Sequence, residues 1–156
     1  MLIKRLAAVA VCATALVTLA ATQASAYPDR GSGTLCSSGP SGTACAHVET
    51  DIGSGHIRAR LAVQARSGKR ITTNTVQLEE LTTERSTGQQ SAVSVAYTPK
   101  RLPSTGSVVS VVAGPLEEEC DSKLATFQWR ADVSYTTSAS GGLAYLIITP
   151  WYSGAC

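Results

Sequence analysis

The sequence predicts an all-β protein: a small two-sheet antiparallel β-sandwich of immunoglobulin-like size, with a small β-barrel as the alternative, stabilised by disulfides. Three observations carry this expectation. Several segments alternate apolar and polar side chains at period two, the signature of a strand with one buried face. Beyond the N-terminus no stretch sustains a helical period, and Thr, Val and Ser stand where helix formers would be needed. Turn signals built from Gly, Pro and Ser recur at spacings of roughly 8 to 15 residues, which divides about 110 packed residues into about seven strands.

The first element is not part of that domain. Lys4 and Arg5 precede an apolar run from Leu6 to Leu19, and Ala24-Ser25-Ala26 supplies small residues for a peptidase, so residues 1–26 read as a secretory signal peptide. Cys12 lies mid-run after Val11, which does not fit a lipidation site, and Lys4-Arg5 is not the twin arginine of a Tat signal. Residues 27–43, rich in Gly, Ser, Pro and Thr, read as a flexible arm, and residues 44–156 as a single β domain beginning near Ala44. Ile57, Ala59, Leu61, Val63 and Ala65 alternate with Arg58, Arg60, Gln64 and Arg66; Ser67-Gly68-Lys69 then turns the chain. Arg70 to Thr83 is Thr-rich with Val76 and Leu78 on one parity, and Val93, Val95 and Tyr97 form a strand that Pro99 closes. Val108 to Ala113 is a short apolar strand ended by Gly114-Pro115. Leu124 to Thr137 sets Phe127, Trp129, Ala131, Val133 and Tyr135 against a polar face, and after a Ser138–Gly142 turn Leu143 to Tyr152 is the last strand. The Cys, Trp and Cys spacing of antibody-type domains is absent.

Removing residues 1–26 leaves four cysteines, Cys36, Cys45, Cys120 and Cys156, an even number suited to an oxidising compartment. Three pairings are possible. Cys36 with Cys45 and Cys120 with Cys156 is the favoured one, because the first pair brackets a turn-rich stretch that folds back easily and the second fastens the chain's last residue. No Cys-x-x-Cys occurs and His47 completes no known ligand spacing, so neither a metal nor another cofactor is expected.

Charge narrows the partners. The whole chain carries +2, but the leader holds two of the thirteen basic residues and none of the eleven acidic ones, which leaves a neutral domain. Nucleic acid is therefore disfavoured, since backbone binding needs a surplus of Lys and Arg. After Ala26 no apolar run approaches the ~20 residues that a membrane helix requires, so no membrane span is expected. Leu102-Pro103-Ser104-Thr105-Gly106 is similar to a cell-wall sorting signal, yet fifty residues follow it, including Glu117 to Glu119, and no membrane-length segment does. A turn between strands is the expectation there.

Chemistry-bearing residues are few. His47 and Glu49 share one strand face and could pair as base and orienting carboxylate, but no nucleophile elbow or helix-borne metal motif accompanies them, and no catalytic residue is assigned. The acidic run Glu117-Glu118-Glu119 with Asp121 reads as a solvated loop rather than a calcium loop. Arg58, Arg60 and Arg66 on one face could meet an anionic partner, against cross-strand pairing with Glu79, Glu80 or Glu84. Six of the eight aromatic residues fall in the last thirty positions: Phe127, Trp129, Tyr135, Tyr145, Trp151 and Tyr152. The last strand is apolar on both faces, which favours a buried central strand over an exposed patch of Tyr145, Trp151 and Tyr152. The resulting expectation is a secreted, non-enzymatic binding module for an extracellular protein or glycan, with Tyr145, Trp151, Tyr152, Arg58 and Arg60 as binding residues. The alternative is an inhibitor of an extracellular hydrolase such as a protease, presenting the Cys36–Cys45 loop or Lys100-Arg101-Leu102-Pro103. A small hydrolase using His47 ranks last.

Overall fold

The computed structural model describes residues 34–51 and 55–153; the expected leader 1–26, the start of the arm and Cys156 lie outside the described residues. The described residues form ten strands: β1 (Leu35–Gly39), β2 (Gly42–Asp51), β3 (His56–Ala65), β4 (Ile71–Glu84), β5 (Gln90–Pro99), β6 (Pro103–Ser104), β7 (Val109–Glu117), β8 (Ala125–Thr137), β9 (Ala144–Ile148) and β10 (Tyr152–Ser153). No helix occurs among the described residues. All pairings are antiparallel. One sheet has the order β1-β2-β3-β7; the other runs β10-β8-β4-β5, with β9 beside β10 on β8 and β6 beside β5 on β4. The two sheets stay open, so the sandwich is the architecture and the barrel alternative is excluded.

The period-two pattern is what builds the core. Ala59, Leu61 and Val63 of β3 point inward with Ala44, Ala46 and Val48 of β2, and meet Val76 and Leu78 of β4 and Trp129, Ala131 and Val133 of β8. Trp129 is buried and Phe127 packs against the same core, as the polarity of that strand requires.

Four expectations are corrected. The sheet begins before Ala44, because Leu35–Gly39 of the expected arm pairs along its whole length with β2. Gly114-Pro115 does not end its strand: the register shifts between Ile57 and Ala59, a bulge at Gly114 and Pro115 absorbs it, and Leu116 pairs with Ile57. A side chain at Gly114, whose φ is +99°, would come within 3.1 Å of the Arg58 Cβ and the Ile57 carbonyl. The segment 143–152 is two short strands, interrupted at Pro150, which has no amide to give the ladder. Nor is that segment central. β8 uses one edge for β4 and the other for β9 and β10, so β9 lies at the rim of its sheet.

Cys36 and Cys45 form the expected disulfide, directly across the β1–β2 ladder. Cys120 is also disulfide-bonded, and its expected partner Cys156 lies outside the described residues. The sorting-signal lookalike is folded between β5 and β7: Ser104 is buried, its hydroxyl donating to the Ser107 carbonyl at 2.6 Å and accepting from the Ala65 amide at 3.0 Å.

Candidate functional site

The outward face of the first sheet gathers four of the residues singled out by sequence. Pairing sets His47 opposite Arg60 and Glu49 opposite Arg58. Alternation within each strand turns all four side chains away from the core. His47 Nε2 lies 2.8 Å from Glu49 Oε1, Arg58 Nε donates to Oε2 at 2.5 Å, and Arg60 donates Nε to Oε1 and Nη2 to Oε2 at 2.5 and 2.9 Å. Arg60 Nη1 also donates to the Ser110 hydroxyl of β7 at 3.1 Å. Burial pushes the Glu49 carboxyl up, but the hydrogen bonds from His47, Arg60 and Arg58 and the charge of Arg60 outweigh it and hold the group far below the usual carboxylate range.

This arrangement answers the arginine question differently from expectation. The partner of Arg58 and Arg60 is Glu49 on the neighbouring strand, whereas Glu79 and Glu80 belong to the other sheet. Arg66 lies past the end of β3 and is exposed. One carboxylate thus pairs with two guanidinium groups and a histidine. The face is tied together rather than left open for a ligand, and Arg58, its side chain 40% exposed, is the member that reaches water most.

On the outward face of the second sheet Arg130 Nε donates to Glu79 Oε2 at 2.6 Å, and its guanidinium sits 4.4 Å from the centre of the Trp151 ring. Burial first, and then the charge of Glu79, push the Asp132 carboxyl above its ordinary range, against the lowering effect of Arg130. Trp151 is therefore half-buried beneath a cation, and Tyr152 is half-buried against the core as part of β10. One face of the Trp151 ring is thus taken by Arg130.

Tyr145 is different. It is 47% exposed and lies parallel to the buried Tyr135 at a centroid distance of 5.4 Å, so one ring face is used and the edge is left open. Around it stand Leu143, Leu146 and Ile148, exposed by 76, 67 and 42%. Only Ile147 of β9 is buried. β9 pairs with β8 on one side and with no strand on the other among the described residues. β1, whose Leu35 is exposed, contacts β9 across the same side of the sandwich. The sequence supplies no charge here: no Asp, Glu, Lys or Arg occurs from Val133 to Cys156. Exposed edge strands in soluble proteins are ordinarily blunted by charge, proline or a covering element. Pro150 interrupts this one, but the five residues of β9 themselves carry neither charge nor proline.

Leu143, Leu146 and Ile148 were not expected as surface residues. Pro150 was the available signal, since a proline within a strand run marks an edge. The structure thus places the predicted binding residues in three settings: Arg58 and Arg60 in the Glu49 cluster, Trp151 and Tyr152 beside β8, and Tyr145 alone on an open apolar rim. No known protein family matches the chain, and no curated protein does either.

Proposed function

We propose that this is a secreted, non-enzymatic binding module that takes an extended segment of another extracellular protein along the edge of β9 that faces away from β8. The observation that carries the reading is the uncharged, exposed rim of Leu143, Tyr145, Leu146 and Ile148 on a strand whose outer edge pairs with no strand among the described residues. Such an edge offers main-chain hydrogen bonds for affinity and side chains on alternate faces for selectivity. Aliphatic side chains predominate over free aromatic faces, which favours a protein over a glycan. Export is supported by the leader-like residues 1–26, by the Cys36–Cys45 disulfide, and by the fact that no helix among the described residues is long and apolar enough to cross a membrane. A non-enzymatic role is favoured because Glu49, the carboxylate beside His47, has its oxygens engaged by Arg58 and Arg60.

The test is capture from culture fluid of the producing cells with the immobilised protein, beside a Leu146→Lys and Ile148→Lys double variant. Both side chains are exposed, so the variant keeps its fold and its melting midpoint. A discrete partner held by the unaltered protein and lost from the variant supports the proposal. Equal capture by both proteins, or none by either, contradicts it.

A further inference from the structure

The opposite edge of the second sheet carries a separate feature. β5 and β6 both pair with β4, Thr75 with Pro99 and Thr72 with Pro103, so Lys100, Arg101 and Leu102 form a short bulge in one nearly continuous edge strand. Thr73 of β4, fully buried, holds this bulge from below. Its hydroxyl donates to the Lys100 carbonyl at 2.6 Å and accepts from the Leu102 amide at 2.9 Å, while its amide donates to the Leu102 carbonyl at 3.1 Å. Leu102 also packs against the core, and buried Ser104 anchors the chain just beyond it.

Arg101 is therefore the one residue of the bulge whose neighbours on both sides are fastened while it is not. Its side chain is exposed and enters no ion pair among the described residues, and its own amide and carbonyl meet no partner there. Pro99 and Pro103 restrict the chain on either side. An exposed arginine with free main-chain groups, flanked by a pinned carbonyl and a pinned amide, presents the features that a serine protease with an acidic specificity pocket reads in a substrate. The pinning removes the ordering cost that a flexible substrate would meet on binding. It also keeps both sides of the Arg101–Leu102 bond in place.

We infer that Pro99–Pro103 is a substrate-like loop that occupies the active site of a trypsin-like serine protease, with Arg101 in the specificity pocket and the loop resisting turnover. Lys100 does not take this role, because Thr73 occupies its carbonyl. The inference uses the edge remote from β9 and stands independently of the binding proposed there.

The experiment titrates the purified, oxidised protein against trypsin, follows hydrolysis of a small chromogenic substrate, and checks the protein for cleavage by mass spectrometry. Competitive inhibition with the Arg101–Leu102 bond largely intact is expected. Arg101→Ala weakens it by about 100-fold or more, as loss of a central anchor does, whereas Lys100→Ala changes it by less than about 5-fold. Thr73→Val, if it retains the cooperative melting of the parent, leaves initial binding but lets the loop be cut after Arg101. The Leu146→Lys and Ile148→Lys variant inhibits like the parent, which separates this result from the fate of the β9 proposal. Absence of inhibition at about 100 μM, where a Kd of that size corresponds to only about 5.5 kcal/mol of binding, overturns the inference. So does inhibition indifferent to Arg101→Ala, or rapid cleavage after Arg101 without inhibition.

Discussion

Replacing Glu49 with glutamine preserves the shape of the side chain and removes the charge that Arg58 and Arg60 share. Glu49 and Arg60 are mostly buried, so the substitution leaves a desolvated guanidinium without its counter-charge, a loss of about 2–4 kcal/mol after allowing for the partial exposure of Arg58. Because the folded carboxyl titrates below its unfolded value of 4.5, its stabilisation is complete above about pH 4.5 and is lost as pH falls further. Thermal midpoints measured from pH 7 to pH 2 should therefore fall more steeply below pH 4.5 for the unaltered protein than for Glu49→Gln. Asp132 has the opposite sign. Burial and Glu79 raise its pKa, so its ionised form weakens the fold at neutral pH and the penalty disappears as pH falls through the raised value. Asp132→Asn should raise the midpoint at pH 7 and leave it unchanged at pH 3; an equal shift at both would refute the burial argument.

Among the elements, β1 depends most on a covalent tie. Four of its five residues are exposed, it pairs on one side only among the described residues, and the disulfide closes a loop of nine residues' separation, worth roughly 2.5–3 kcal/mol in the chain-entropy account. Replacing Cys36 and Cys45 with alanine should lower global stability by about that amount and strip hydrogen-exchange protection from Leu35–Gly39 before β4 or β8 is affected. The turn into β2 depends on Gly42, where φ is +141° and a Cβ would clash with the Gln64 carbonyl oxygen. Gly42→Ala should cost about 3 kcal/mol or more, since backbone on the facing strand would have to move. Chemical denaturation reads this directly; a change below 1 kcal/mol, within the range of ordinary surface substitutions, would contradict the close approach.

For the molecule as a whole, what could be read from the chain followed the reach of each signal. Period-two alternation identified β3, β4 and β8 and the inward set Phe127, Trp129, Ala131, Val133 and Tyr135, because burial of one face acts on every second residue locally; in β5 it located the strand but not its inward face, since Val93 and Tyr97 are exposed while the neighbours Val95 and Ala96 pack against the core. It placed His47 and Glu49 on one face for the same reason. Strand order is non-local, so alternation could not say that Glu49 would stand opposite Arg58, or that Glu79 would serve Arg130 in the other sheet. Nor could it separate a strand buried on both faces from an apolar edge, which is why β9 was expected at the centre. The pinned Arg101 was visible only as a proline-flanked basic pair, since the residue that holds it, Thr73, is remote in sequence.

That apolar edge gives the molecule its asymmetry: ion pairs lie on its two broad faces, and an uncharged rim lies at β9. Hydrogen exchange of Ala144–Ile148, compared between the protein alone and the protein bound to a partner captured from culture fluid, tests the reading most directly. The account predicts slowed exchange in β9 on binding, absent when Leu146→Lys and Ile148→Lys are introduced. Unchanged exchange in β9 with protection arising elsewhere on the domain would contradict it.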